Sequence, residues 1–354
     1  MSRVNGVILC LMRFFLLAWI IPIVMSFIVY FGFTTNYTGR VFSEASFNQQ
    51  YLGGVYKYRV LGRILLIKTH DLINNYNISV FKPPYSLRLL DPTGTREFYS
   101  AYFYMNTFFL CLTCSFLFFL LHRGDHSNHI IDFYMMFMIF MMTITQYVVV
   151  PYDTITYFFI AFSAFFILKN KLSLWGISAL CGTIILATLA RETTVLILAF
   201  YFTVHYQALF EKPKGIKITS IKLNQQQLIF LVITLCFILT YLSLRWEFGY
   251  ENAWFQSITF KENFSNKFPV LGILFLVMNI LFLIITPEGR KEILIFITVS
   301  FPCILFILTV ANPWETRLWV PLIIISAIIK ATKININQAV VVSKDHLALS
   351  SSGE

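Results

Sequence analysis

Three charged motifs interrupt an otherwise apolar chain: Pro151-Tyr152-Asp153, Arg191-Glu192-Thr193-Thr194 and Glu315-Thr316-Arg317. The first polar stretch adds Glu44, Arg59 and Arg63. Arginine presents a planar fork of donors that meets phosphate bidentately, so Arg59, Arg63, Arg191 and Arg317 suit an anionic headgroup, with Glu315 beside Arg317. A carboxylate near an acceptor hydroxyl serves as general base, or steadies the oxocarbenium-like charge that develops as a sugar leaves. Asp153, Glu44 and Glu192 are the candidates, Asp153 first. Each motif also has a plainer reading. Asp153 would cap a helix, Arg191-Glu192 would be a polar turn, Glu315 and Arg317 an interfacial ion pair, and Arg59 and Arg63 headgroup anchors.

The elements that must position these residues are membrane helices. Hydrophobic residues make up 58% of the 354 and charged residues 12%, a composition that excludes a soluble domain. The mean hydropathy is +0.72. From Leu172 to Phe210 the only charges are Arg191 and Glu192. At the α-helical rise that run is roughly 58 Å long, about two bilayer cores, so it predicts a hairpin with the two charges at its tip. Both ends of the run are basic, which places the tip on the non-cytoplasmic face.

Ten spans are expected: 7–33, 100–121, 129–150, 154–168, 172–190, 193–210, 227–244, 268–286, 292–310 and 318–329. The fold class is therefore an all-α polytopic membrane protein, one integral domain over 1–354, with a long first outer loop at 34–99 and a cytoplasmic tail at 330–354. With the N-terminus inside, Arg3 and the inner loops hold 13 Lys and Arg against five in the short outer loops. That asymmetry supports the orientation. The first loop carries further cations, but loops longer than about 60 residues cross largely regardless of charge. The run from Val7 is too long for the apolar region of a cleaved signal and is expected to remain as a span. The net charge of +10 sits in short loops between spans, where it orients the chain and meets anionic lipid, so nucleic acid is not an expected partner.

Within the first loop, Tyr56 to Leu66 sets Arg59 and Arg63 four apart, the pattern of an amphipathic helix along the membrane surface. Pro83-Pro84 stops any continuing helix, and Asp91-Pro92-Thr93-Gly94 reads as a turn. The loop from Arg245 to Lys267, with Trp246 and Trp254, and Trp314 and Trp319 further on, read as aromatic belts. His122, Asp125, His126 and His129 read as a solvated inner loop that Asp132 approaches. Cys111-x-x-Cys114 lies within a span with no second pair, and no disulfide framework is expected. Sequons at Asn36, Asn77 and Asn263 fall in predicted outer loops.

This layout resembles the integral-membrane glycosyltransferases of the GT-C type. The resemblance lies in the multi-span body, the long first outer loop and the acid and arginine motifs on the outer face. Arg191-Glu192-Thr193 and Tyr58-Arg59-Val60-Leu61 are similar to segments of bacterial envelope-polysaccharide members. Many such enzymes carry an acidic pair soon after the first span; here the nearest acid is the lone Glu44, followed at a distance by Asp71. The resemblance implies a bacterial inner-membrane enzyme with both termini cytoplasmic, taking a sugar from a polyprenyl-phosphate donor to a glycan or lipid-linked acceptor. A divalent metal ion is left open, and no metal ligands are assigned. Two alternatives remain: a polymerase joining lipid-linked repeat units, and a transporter or flippase. Transporters usually show broken helices, mid-membrane charges or internal repeats, and the sequence displays no repeat.

Overall fold

The computed structural model describes residues 2–32, 42–82, 91–122, 129–169, 171–210, 224–249 and 267–334. The helices are α1 (Gly6–Gly32), α2 (Glu44–Tyr51), α3 (Val60–Asn75), α4 (Arg96–Leu121), α5 (His129–Ile144), α6 (Asp153–Ile167), α7 (Leu174–Ala190), α8 (Val195–Phe210), α9 (Gln225–Phe248), α10 (Lys267–Ile284), α11 (Arg290–Val299), α12 (Phe301–Val310) and α13 (320–334). Among the described residues there is no β-strand. Among the described residues, six helices are long and apolar enough to cross a membrane: α1, α4, α5, α8, α9 and α10, with α5 and α8 extended by adjoining short turns. The pair α11–α12, bent by 51°, makes a seventh if counted as one. The apolar helices α6 and α7 are shorter, at 15 and 17 residues.

Local chemistry sets where several of these helices start. Thr95 caps α4 by accepting from the Phe98 N–H at 3.2 Å, and Ser173 caps α7 by accepting from Gly176 at 3.2 Å. Asn224 and Gln227 exchange hydrogen bonds in a capping box at the head of α9.

Packing then sorts the helices. The segment 319–331, which includes most of α13, is buried throughout, and apart from Ser326 its sequence is apolar on all sides as far as Ile329, as a central helix requires. Helix α4 packs mainly against α6, α7 against α9, and α3 lies on α4 and α7. The outward faces stay apolar: Leu239 on α9, Leu271 and Met278 on α10, and Phe140 on α5 are all exposed. So broad an exposed apolar belt suits lipid as the surrounding solvent. Trp175 near the start of α7 is 84% exposed, and Trp246 near the end of α9, which runs parallel to α7, is 90% exposed. Two exposed tryptophans at opposite ends of the bundle match interfacial anchors.

The structure differs from the sequence expectation in three places. Helix α4 begins at Arg96, inside the expected outer loop. Arg59 flanks the start of α3 and does not lie within a surface helix; α3 is docked on the bundle. Helix α13 continues to residue 334, so Lys330 is buried and does not open a tail. The turn at 91–94 is present, held by Asp91, which accepts from the N–H groups of Phe42 and Thr93. Pro83-Pro84, Asp125, His126, Trp254, Asn36, Asn263 and the tail from 335 lie outside the described residues.

Candidate functional site: an arginine cluster around Tyr152

Three connections converge at one end of the bundle. The first is the 148–152 turn leading into α6. Asn106 of α4 holds it in place: its amide donates to Tyr30 Oη at 2.7 Å and to the Val150 carbonyl at 3.0 Å, while its oxygen accepts from Thr154 Oγ1 at 2.7 Å. A buried amide satisfied on both ends fixes a backbone firmly. The second is the break between α7 and α8, where the Thr194 hydroxyl donates to the Arg191 carbonyl at 2.7 Å. The third is the loop before α13, where Trp319 Nε1 donates to the Pro313 carbonyl at 2.8 Å.

Two glycines allow the close approaches. A Cβ on Gly62 would stand 2.6 Å from the Pro151 carbonyl oxygen, and one on Gly272 would stand 1.8 Å from that of Pro313. Without side chains at these points, α3 closes on the Pro151-Tyr152 turn and α10 closes on the 311–319 loop. The first approach brings Arg59, at the head of α3, over Tyr152.

Tyr152 is the centre of what results. Its ring is fully buried, and the guanidinium carbons of Arg59, Arg191 and Arg317 lie 4.2, 5.2 and 6.0 Å from its centroid. Arg317 Nη1 also donates to the Tyr152 hydroxyl at 3.2 Å. The three arginines meet three acids. Arg191 is hydrogen-bonded to Asp153 Oδ1, and Arg317 reaches Asp153 Oδ2 at 3.5 Å. Arg317 is paired more closely with Glu315, at 2.8 Å, and Arg59 with Glu192, at 3.4 Å. Three cations and three anions balance, which is what allows charges to be buried at this depth. Burial opposes charge on Arg59 and Arg317, but Tyr152 and the paired carboxylates outweigh it and hold both above the ordinary arginine range. Burial likewise pushes the Tyr51 and Tyr56 phenols up, so both stay neutral.

The three carboxylates are not equivalent. Both oxygens of Asp153 face guanidinium groups. Glu315 is held by Arg317 on one oxygen and by the Asn312 amide, at 3.2 Å, on the other. Glu192 pairs with Arg59, with Arg191 and Arg245 also near enough to act on its charge, and its side chain is 28% exposed against 1% for Asp153. Donors remain unspent as well: among the described residues, Arg191 Nε is buried without a partner and Arg59 hydrogen-bonds through its Nε alone.

Of the residues singled out in the sequence, Asp153, Arg59, Arg191, Glu192, Glu315 and Arg317 come together here. Arg63 stands beside the cluster, donating to the Tyr51 carbonyl at 3.4 Å. Glu44 does not join it; exposed, it pairs with His70 at 3.8 Å. The capping reading of Asp153 is not what the structure displays: Asp153 is the first residue of α6, no side chain caps that helix, and both carboxylate oxygens point to arginines. Tyr152 and Asn106 were not singled out in the sequence. Tyr152 had a signal, adjacency to Asp153 after Pro151, whereas Asn106 sits in a long apolar run with nothing to mark it. No group of three His, Cys, Asp or Glu is placed to hold a metal ion among the described residues. A groove of about 530 Å³, lined largely by Leu189, Leu242, Leu244, Trp246 and Phe248, opens on the bundle surface next to the Arg191 end of α7.

Comparison with protein-family models, with curated proteins and with solved structures returned no match.

Proposed function

We propose that the chain is a ten-span membrane glycosyltransferase working on the non-cytoplasmic face, with polyprenyl-phosphate sugar as donor and a glycan or lipid-linked molecule as acceptor. The observation that carries this reading is the convergence of Arg59, Arg191 and Arg317 with three carboxylates at one end of an apolar bundle. Arginine forks with unspent donors suit a lipid phosphate. Glu192, the most accessible of the three acids, is the better general base toward an acceptor hydroxyl. Asp153, engaged on both oxygens, holds Arg191 and Arg317 in position. Joining lipid-linked repeat units is the same chemistry with a larger acceptor.

The test is made in cells lacking the protein and complemented with wild type or Glu192→Gln. The expected result is a surface glycan restored by wild type and absent with Glu192→Gln at equal protein level. Glycan unchanged in the null cells would remove the reading.

One observation favours transport instead: the 51° break between α11 and α12, beside the buried, unpartnered Ser300 hydroxyl. Interrupted helices are where transporters bind their cargo. Purified protein in liposomes separates the two, because a transferase consumes donor and a transporter only moves it.

A further inference from the structure

Tyr152 has no role in the proposed chemistry, yet more of the cluster touches it than touches any of the acids. Three guanidinium groups that would repel one another share one aromatic ring, at 4.2, 5.2 and 6.0 Å. Arg191 and Asp153 are buried, while Arg59 and Glu192 are partly exposed. Donors remain unspent on Arg191 Nε and, among the described residues, on the Nη groups of Arg59.

We infer that Tyr152 is a positioning residue: the negative face of its ring sets the spacing of Arg59, Arg191 and Arg317 so that the donors left on Arg59 and Arg191 converge on one phosphoryl group. The inference rests on the proposed lipid-phosphate reading and adds to it the element that aims the arginines. Cation attraction to a ring face depends on the ring's electron density and not only on its shape. A ring that merely fills space is indifferent to electron density. That difference makes the inference testable without disturbing the packing.

The experiment replaces Tyr152 in the full-length protein by phenylalanine and then by phenylalanines with one, two and three ring fluorines, which keep the shape and progressively deplete the ring. Binding of farnesyl phosphate and of farnesol is measured on each purified protein in detergent micelles, and the ratio of the two affinities isolates the phosphate. Tyr152→Phe loses the hydroxyl contact with Arg317 and should keep most of the preference for phosphate. Across the fluorinated series the preference should fall stepwise, by about tenfold at the trifluoro variant. Tyr152→Leu, with no ring, should resemble the trifluoro protein. A preference that stays flat across the series overturns the inference while leaving the phosphate reading intact. A wild-type protein that does not prefer farnesyl phosphate to farnesol removes the reading itself, and the inference with it.

Discussion

The central helix α13 has a buried cation at each end, and the two are satisfied in opposite ways. Near its start, Arg317 bonds to side chains: its neighbour Glu315 and, brought from elsewhere, the Tyr152 hydroxyl and Asp153. Near its other end, Lys330 donates to the carbonyls of Thr286 at 2.9 Å and Glu288 at 2.5 Å, with the Glu288 carboxylate at 3.5 Å. Those carbonyls follow the C-terminus of α10, where unpaired oxygens and the helix dipole attract a cation. Lys330 therefore closes a helix end, a structural task. The same rim holds Asp132 between Arg13 and His122, with side chains about a quarter exposed or less. Nothing at that end, among the described residues, stacks several cations on one ring. A polar group that completes backbone bonding explains its own presence; three arginines around a tyrosine do not complete any backbone, and this contrast marks the Tyr152 end as the candidate site.

The contrast can be broken or sharpened by removing one partner at a time. The largest effect is expected from Asp153→Ala, which strands Arg191 in a buried position; loss of one partner of such a pair costs about 3–5 kcal/mol. Denaturant or thermal unfolding of the purified protein in one fixed detergent measures it, and a loss under about 1 kcal/mol would mean the cluster is far wetter than its burial implies. Lys330→Met comes next. It removes charged hydrogen bonds to two carbonyls, at about 1.5–3 kcal/mol in the same assay. Binding of farnesyl phosphate should be unaltered, and a change there would couple the two rims. The smallest effect is expected from Arg13→Gln. Partly exposed pairs contribute about 0–1 kcal/mol, so a shift as large as that of Lys330→Met would show the Asp132 network to be more than a surface pair.

Much of the molecule is legible in its amino-acid order alone. Hydropathy is a local sum, so a stretch such as 225–248 declares itself a membrane helix wherever it packs, and the charged residues worth watching are conspicuous because so few interrupt the apolar runs. Six of the eight residues proposed for catalysis and binding meet at one place. Glu44 stands apart because the docking of α3 pairs it with His70, a contact no spacing rule encodes.

The chain by itself therefore determined an apolar helical bundle with a small stock of arginines and carboxylates at certain helix ends. Only the tertiary structure decided which of them touch. Arg191 reaches Asp153 across 38 residues, Arg59 reaches Glu192 across 133, and Arg317 reaches Asp153 across 164. Those meetings depend on two absent side chains, at Gly62 and Gly272, and on a buried amide at Asn106. Each is a matter of a few ångströms between segments distant in sequence, and no local pattern carries that distance. Tyr152 took its place at the centre for the same reason: its neighbours are chosen by packing, not by sequence spacing.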